Sequence, residues 1–350
     1  MIHSFKTLSL SALAVAMTAG APVQADDIAD FYKGRQINAI SGGGAGGGFS
    51  FAARLLGHHM VENIPGNPSW VVTAMPGAGG ARSVKYIVNA APQDGTVVGV
   101  VLPPAIISPL LRPGVGYDSK KLQWIGSITP MAPVLSVWHT SPAKSLDEIK
   151  RVEVTTGTSS KLSAGYMMPA WLNKTVGTKY KIISGYRGGD RQNNAMEKGE
   201  LNGRSSFYAS YKTTKPHWLS EKKIVHIAYM GPREPDLEAQ KIPHFMDLAK
   251  TDEQRQVVRF LGTGGSVGHG FFVSPGVPKA RVAALRAAFD KTVRSPAFLA
   301  EAKKRNQTVN PVSGAELDKI VAAGMSTSPE VVERFKKLVG IGAPKAKKKQ

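Results

Sequence analysis

The amino-acid sequence predicts an α/β protein in which strands and helices alternate, and three observations support this fold class. Short apolar runs typical of buried strands are separated by amphipathic runs typical of helices, an order that favours parallel sheets covered by helices. The alternation starts again at Pro133. The chain has 350 residues, which is more than one hydrophobic core usually contains.

The individual elements follow from the periodicity of the apolar residues. Continuous apolar or β-branched runs predict strands, and these lie at residues 36–40, 69–75, 96–102, 122–128, 133–139, 151–155, 181–183, 203–208, 224–229 and 271–273. Apolar residues three to four positions apart predict helices, and these lie at residues 50–60, 81–89, 162–176, 192–198 and 279–292. Ser328, followed by Pro329, is expected to cap a last helix.

The composition limits the kinds of partner. There are 45 Lys and Arg residues against 25 Asp and Glu residues, a net charge of +20, which favours nucleic acid, a phospholipid surface or an acidic small molecule. The basic residues are spread along the chain, apart from the lysines of the C-terminal tail, so we expect no nucleic-acid partner. Cysteine is absent, which excludes disulfides, thiol catalysis and cysteine metal sites.

The first 25 residues have the order of a secretory signal peptide. Lys6 precedes an apolar run from Leu8 to Met17, and small residues follow at Val23 and Ala25. The apolar run is shorter than the ~20 residues that a transmembrane helix needs, which argues against a retained membrane anchor. We therefore expect cleavage near Ala25 and a mature protein that is periplasmic.

A glycine-rich segment from Ser41 to Phe49 lies between a predicted strand and a predicted helix. In an open α/β sheet this junction is where ligands bind. A backbone without side chains can approach an anion closely and direct N–H groups at it, so a carboxylate or a phosphate would fit. A tight turn without a ligand is the alternative.

Two nucleotide-binding motifs can be compared with this segment. It contains the dinucleotide pattern Gly42-x-Gly44-x-x-Gly47, with Glu62 twenty residues after Gly42. However, Glu62 is expected at the end of the helix, whereas the ribose-binding acid belongs at the end of the second strand. No Lys followed by Ser or Thr stands in the phosphate-loop spacing. A dehydrogenase and a nucleotide triphosphatase are both disfavoured, and no cofactor is expected.

Further groups that suit an oxyanion follow other predicted strands. The segment 76–80 is rich in glycine, and the segment 155–160 offers hydroxyls, which would equally well cap a helix. Arg187 and Arg204 are candidate partners for a carboxylate, because the guanidinium group can bind it bidentately. For either arginine, a salt bridge elsewhere in the protein is the alternative.

The sequence shows no arrangement of catalytic residues. Two Ser-x-x-Lys matches, at Ser141 and Ser220, lack the companion motifs of that class of enzyme. His58 and His59 are neighbours on a predicted helix, where adjacent side chains diverge by about 100°, so no shared metal ion is expected. We therefore expect neither catalytic residues nor a metal site. The alternative is a periplasmic enzyme that acts on a small acidic substrate.

Several segments, taken together, resemble one protein family. In order and spacing they are similar to the tripartite tricarboxylate transporter receptors, the Bug family of periplasmic solute-binding proteins. The similar segments are residues 46–54, 75–80, 91–95, 117–118, 185–189, 195–203 and 274–278. The similarity therefore covers nearly the whole predicted mature chain.

This resemblance implies a two-lobed periplasmic-binding-protein fold of the Venus-flytrap type, with a ligand cleft between the lobes. Lobe 1 would comprise residues 26–129 and 232–340, lobe 2 residues 130–231, and residues 341–350 a flexible basic tail. The implied function is to capture a small organic anion, a di- or tricarboxylate or an aromatic carboxylate, and to deliver it to integral-membrane transporter subunits. The protein is expected to act as a monomer.

The resemblance, together with the second glycine loop, also indicates which residues bind the ligand. These are Gly46, Gly47, Gly48, Ser50, Gly77, Gly79, Thr156, Thr158, Ser159, Tyr186, Arg187 and Gly188. One position departs from the family, whose members usually have Asp four residues before the arginine that stands here at Arg54; this chain has Ser50. The loss of that carboxylate argues against an amine-bearing ligand and favours a purely anionic or aromatic acid.

Overall fold

The computed structural model describes residues 25–186 and 188–341. The predicted signal peptide up to Gln24, the predicted binding residue Arg187 and the predicted tail after Ile341 lie outside the described residues. The strands are β1 (Gln36–Ser41), β2 (Ser69–Ala74), β3 (Val97–Val100), β4 (Gln123–Ser127), β5 (Pro133–Trp138), β6 (Val154–Thr158), β7 (Tyr180–Ser184), β8 (Gly203–Phe207), β9 (Ile224–Tyr229), β10 (Gly270–Val273) and β11 (Val312–Ser313).

The helices are more numerous than the sequence predicted. They are α1 (Ala25–Tyr32), α2 (Gly48–Met60), α3 (Ala81–Asn89), α4 (Pro103–Leu111), α5 (Leu146–Ile149), α6 (Ala164–Thr175), α7 (Gly189–Glu197), α8 (Tyr208–Thr214), α9 (Pro216–Ser220), α10 (Pro235–Ala239), α11 (Phe245–Leu248), α12 (Asp252–Val267), α13 (Lys279–Thr292), α14 (Pro296–Lys304), α15 (Gly314–Met325) and α16 (Pro329–Val339). The predicted cap of the last helix is confirmed, because the Ser328 hydroxyl accepts a hydrogen bond from the Val331 amide at 3.4 Å. Within the described ranges, every helix is too short or too polar to span a lipid bilayer.

The first sheet has the strand order β11-β4-β10-β3-β1-β2. β1 lies parallel to both β2 and β3, as the alternation of strands and helices predicted. β10 lies antiparallel between β3 and β4. The prediction of parallel strands therefore holds for the pairing of β1, β2 and β3 but is wrong for that of β4, β10 and β11, because a strand from late in the chain enters the middle of the sheet in the opposite direction.

The second sheet has the strand order β7-β6-β8-β5-β9. β6 lies parallel to β7 and β8, whereas β5 lies antiparallel to β8 and β9. Each sheet thus combines a parallel part with an antiparallel part. In both sheets the parallel part is built from strand–helix–strand units, whose loops leave the carboxyl ends of the strands.

Helices cover both faces of each sheet, and the hydrophobic core lies between the helices and the strands. On the first sheet, α2, α13 and α14 pack on one face around Phe271, and α3, α4 and α15 pack on the other face around Trp124. On the second sheet, α6, α12 and α16 pack around Trp171, and α7, α8 and α9 pack around Trp218. This arrangement explains the two strand patterns: the central strand β3 is buried throughout, whereas the edge strand β2 alternates between half-buried and exposed residues.

The last helix, α16, packs against α6 on the second sheet. The Tyr166 hydroxyl donates a hydrogen bond to the Val339 carbonyl at 2.9 Å, and the Lys161 ammonium donates one to the Gly340 carbonyl at 2.9 Å. α16 also contacts α4, which packs on the first sheet. The lobe bounds, which assign α16 to lobe 1, stay a prediction.

Candidate ligand-binding site

A cleft of about 910 Å³, its open mouth included, lies between the loops of the two sheets. The first sheet contributes residues of the loops 42–48 after β1 and 76–80 after β2. The second contributes residues of the loops 158–163 after β6 and 188–190 after β7. All four loops follow the carboxyl ends of parallel strands, which is the position where open α/β sheets bind ligands.

Hydrogen bonds from the loop itself and from α2 hold the first glycine loop, residues 42–48, in place. The Ser50 hydroxyl, which is fully buried, donates a hydrogen bond to the Gly44 carbonyl at 2.9 Å. The Gly47 amide donates to the same carbonyl at 3.0 Å, and the Arg54 guanidinium donates to the Ala45 carbonyl at 3.1 Å. The carbonyls of Gly44 and Ala45 are therefore occupied by donors of the protein. Three amides of the loop are also used within the protein, namely those of Gly42, Gly43 and Gly47. Among the described residues, this leaves the other amides of the loop available to a ligand.

Three helices begin at the cleft. The first residues of α2, α6 and α7 line it, namely Gly48, Ala164 and Gly189. The first amides of a helix have no acceptor within the helix, and they carry the positive end of its dipole. In the described part of the chain, no group accepts a hydrogen bond from the amides of Gly48 and Phe49. The potential of the three helices favours an anion in the cleft.

Contacts between the two halves of the cleft require glycine at several positions. A Cβ atom at Gly48 would lie 2.8 Å from the Cβ of Ser210. Gly79 has a left-handed backbone (φ 65°), and a Cβ there would lie 3.0 Å from the Leu162 carbonyl carbon. These positions lack side chains because backbone from one half approaches the other half directly.

A buried arginine forms part of the wall on the second sheet. Arg204 lies on β8 and is 8% exposed. Its Nη1 donates to the Gly189 carbonyl at 2.7 Å and to the Asn193 side-chain oxygen at 2.5 Å, and its Nε donates to the Ser205 carbonyl at 3.2 Å. Burial lowers the pKa of Arg204, whereas the charges of Tyr211 and Asp190 raise it; an arginine nevertheless stays charged.

This arginine has no ion-pair partner among the described residues. No described carboxylate lies within 4.0 Å of its guanidinium nitrogens, and none of the described acceptors binds its Nη2. A buried charge is costly unless it is paired and hydrogen-bonded. The wall of the cleft therefore contains a buried cation whose hydrogen bonds go to neutral acceptors, with the charge of Asp190 acting on it from a distance.

One carboxylate of the protein also lies in the cleft. Asp190, the second residue of α7, lines it beside Gly44 and Gly188. Ser205, Ser206, Ser210 and Asn193 also line the same wall, although the Ser205 hydroxyl donates a hydrogen bond to the Met168 sulfur at 3.2 Å. The second sheet thus supplies a cation, an anion and several neutral hydrogen-bonding groups. Among the described lining residues there is no histidine that could act as a general base.

The predicted binding residues divide into three groups. The structure brings most of them together in the lining of the cleft, namely Gly46, Gly47, Gly48, Gly77, Gly79, Thr158, Ser159 and Gly188. Ser50, Thr156 and Tyr186 lie outside the lining: Ser50 supports the glycine loop, Thr156 is buried in β6, and Tyr186 packs beside Leu201. Arg187 is not described. That these residues bind a ligand stays a prediction.

Asp190, Asn193 and the three serines were not predicted as site residues. For two of the serines the sequence held a signal, because the predicted strand begins Gly-Arg-Ser-Ser-Phe and contains three consecutive polar residues. In the structure, this strand, β8, is buried at every residue. Polar side chains in a buried strand need polar partners. Aromatic residues near the second sheet do not mark the site in the same way. Trp171, for example, is fully buried in the hydrophobic core.

Several solved structures have the same fold as this chain. The periplasmic binding protein BugD superposes with a TM-score of 0.70 at 20% identity, covering 89% of this chain and 99% of BugD. MatC from Rhodopseudomonas palustris with bound malate gives 0.65 at 17% identity, covering 87% and 99%. Another R. palustris protein, solved with adipate, gives 0.66 at 18% identity, covering 88% and 98%. The predicted two-lobed α/β fold is thereby confirmed. No curated protein matches the chain.

The family is shown by the sequence itself. The model of the tripartite tricarboxylate transporter family receptor matches residues 53–336, which is most of the chain. The predicted family is therefore confirmed, and with it the receptor function that the family carries out. This chain belongs to the tripartite tricarboxylate transporter receptor family, and it is a solute-binding receptor.

Proposed function

We propose that this receptor is exported to the periplasm, captures a small organic acid in the cleft and presents it to the integral-membrane subunits of a tripartite transporter. The expected ligand is a di- or tricarboxylate or an aromatic carboxylate. The receptor would act as a monomer, release the ligand unchanged and need no cofactor. The observation that carries this proposal is Arg204, a buried cation in the wall of the cleft without an ion pair among the described residues.

The opposite side of the cleft supports the same ligand class. The free amides at the start of α2 face the cleft from the first sheet, where a carboxylate would accept their hydrogen bonds. A ligand with two anionic groups would then bind Arg204 with one of them and the amides with the other. The two R. palustris proteins, solved with malate and with adipate, hold acids of this chemistry.

A ligand that contacts both sides links binding to a change of shape. It adds contacts between the halves of the cleft only when they lie close together, so it favours the closed state by its difference in affinity for the two states. The transporter subunits would then distinguish loaded from empty receptor by shape. Nothing in this mechanism requires a chemical step on the ligand.

The test is ligand binding by protein purified from the periplasm of an expression host. Mass spectrometry of the purified protein should show cleavage near Ala25. Thermal shift against di- and tricarboxylates, aromatic acids, amino acids, NAD and short DNA should give a saturable rise in Tm with one class of acid. Calorimetry with the best acid then gives the affinity for the wild type and for Arg204→Met.

We expect Arg204→Met to weaken binding about 30-fold, since a hydrogen bond to a charged group contributes about 2 kcal/mol. Arg255→Ala is the matched control, because this arginine is partly exposed, lies outside the cleft and forms an ion pair with Asp252 on its own helix. Equal affinity of wild type and Arg204→Met would disprove the assigned role of Arg204. Conversion of the bound acid into a product would show an enzyme instead, and a response to NAD or DNA alone would contradict the ligand class.

A further inference from the structure

A second group of polar side chains lies where the carboxyl end of α2 packs against α14, away from the cleft. It consists of His58 and His59 on α2 and Glu301 on α14. One nitrogen from each histidine and one carboxylate oxygen lie within 4.8 Å of one another. The expectation that the two imidazoles diverge is wrong, since their ring centroids are only 4.9 Å apart, with the planes at 78°.

The carboxylate is fixed between two basic side chains. The Oε2 of Glu301 lies 2.7 Å from the Nε2 of His59, and its Oε1 accepts a hydrogen bond from the Nε of Arg305 at 2.7 Å. The side chains of His59 and Glu301 are 15% and 24% exposed, respectively. His59 and Arg305 thus bind different oxygens of the same partly buried carboxylate, which fixes its orientation.

His58 gives the group access to solvent. It is exposed and lines an open cavity together with Glu301, Arg305 and Arg54. Because α2 ends beside the two histidines, the negative end of its dipole also favours a cation here.

Two imidazole nitrogens and one carboxylate oxygen form a ligand set typical of Zn²⁺ and of the neighbouring ions Ni²⁺ and Cu²⁺. Such ions bind these ligands at about 2.0–2.2 Å, which sets the ligand atoms about 3.4 Å apart in a tetrahedral site. The three atoms now lie within 4.8 Å of one another, and the Nε2 of His59 lies 2.7 Å from the Oε2 of Glu301, so side-chain rotations must bring His58 closer and move this pair slightly apart. Arg305 would then act as the partner that orients the coordinated carboxylate. Hard ions such as Mg²⁺ prefer oxygen ligands and are not expected.

We propose that His58, His59 and Glu301 bind one divalent transition-metal ion and so join α2 to α14. His59 and Glu301 are 242 positions apart in the chain. Three protein ligands leave coordination positions open. The guanidinium groups of Arg54 and Arg305 lie at the same cavity, so the open positions would hold water or a small anion. This proposal is independent of the ligand in the cleft.

The experiment is equilibrium dialysis and calorimetry with Zn²⁺ in a buffer without metal-binding anions, on protein whose affinity tag has been removed. We expect one high-affinity ion per chain. His58→Ala should weaken binding at least tenfold, and because His58 is exposed this variant should fold like the wild type. His59→Ala and Glu301→Gln should have the same effect on Zn²⁺.

His217→Ala is the matched control, since His217 is an exposed histidine on α9 outside this group. It should leave the affinity and the stoichiometry unchanged. Zn²⁺ should also raise the Tm of the wild type and of His217→Ala, but not that of His58→Ala. The proposal fails if no ion binds at micromolar concentration, or if His58→Ala binds Zn²⁺ as tightly as the wild type does.

Discussion

The two sides of the cleft differ in what they present to a ligand: one presents mainly backbone and the other mainly side chains. The side on the first sheet consists mainly of glycine backbone from the loops 42–48 and 76–80. The side on the second sheet presents charged and polar side chains, among them Arg204, Asp190 and Asn193. One side is therefore chemically uniform, whereas the other carries a specific pattern of charges and hydrogen-bonding groups.

This difference separates affinity from selectivity. Backbone amides at helix termini bind a carboxylate whatever the rest of the ligand is, so the first side suits every organic acid of the right size. Side chains with fixed positions accept only ligands that complement them, since an unpaired buried polar group is costly. Related receptors that bind a different acid should accordingly differ most in the side chains of the cleft wall on the second sheet.

The largest effect is expected from a side chain on the glycine side. Gly48→Val would place atoms into Ser210, because even a Cβ at this position would lie 2.8 Å from the Ser210 Cβ and 3.1 Å from its Cα. The halves could then no longer approach each other, and we expect the affinity for the acid to fall more than 100-fold, about 3 kcal/mol. Calorimetry measures this loss, and small-angle X-ray scattering should show no compaction upon addition of the acid.

Gly46→Ala is the matched control for this variant. It belongs to the same loop and keeps its amide, and a Cβ there meets no described atom within 4 Å. Because Gly46 itself lines the cleft, we expect Gly46→Ala to change the affinity for the acid, but by far less than Gly48→Val does, since the two halves can still approach each other. If Gly48→Val bound the acid normally, the close approach of the two halves would have no part in binding.

A second comparison concerns one buried histidine near each sheet. His226 on β9 contacts the Ser136 hydroxyl at 2.8 Å, whereas His269, just before β10, has no partner for either nitrogen in the described structure. Burial lowers the pKa of His226 to about 4 and that of His269 to about 3. The folded protein thus keeps both rings neutral at a pH where the unfolded chain binds a proton on each.

The free energy of unfolding should therefore be greatest above pH ~6.5 and fall as the pH decreases toward 4. Each histidine should account for a loss of about 2 kcal/mol between pH 7.5 and pH 5. Urea denaturation at the two pH values measures this loss. His269→Leu should reduce the combined loss from the two histidines by half. His217→Ala, at an exposed histidine, should leave the loss unchanged. An equal loss in wild type and His269→Leu would show that His269 is not the acid-sensitive group.

The smallest effect is expected at Asp190. Its carboxylate lies in a cleft that we expect to bind an anion, and Asp190→Asn removes a like charge while keeping the shape of the side chain. The affinity for a dicarboxylate should rise about fivefold, about 1 kcal/mol. Asp252→Asn, at an exposed position, serves as the control. Weaker binding by Asp190→Asn would show instead that Asp190 accepts a hydrogen bond from the ligand, as an amine or hydroxyl would supply.

The glycine side of the cleft could be predicted from the sequence, but the other side only in part. Both glycine loops are local patterns that directly follow a strand, and their position at the edge of the sheet follows from the alternation of elements. Arg204 and Asp190 belong to different elements, and their convergence depends on β8 lying beside β6 and on the packing of α7. Pairing of distant segments is not encoded in any local pattern.

The same limit explains why α12 is one of the helices that the sequence did not predict. The end of α12 reads Leu-Gly-Thr-Gly-Gly-Ser-Val, a composition with low helix propensity. Glycine is needed there, because a Cβ at Gly264 would lie 2.6 Å from the Pro103 carbonyl carbon. The close packing of α12 on α4 thus overrides local propensity, and a contact between segments so far apart cannot be read from either one alone.

The position of β10 in the middle of the first sheet has a consequence for the order in which the protein can form. A ribosome makes β3 and β4 early, but the strand that joins them appears only after the whole second sheet has been made. Until then both strands have an unpaired edge, which is open to pairing with another chain. Such long-range pairing is also slow. A chain cut before Gly270 would therefore lose the centre of a sheet rather than its end, so the first half of this receptor depends on the second half for its own completion.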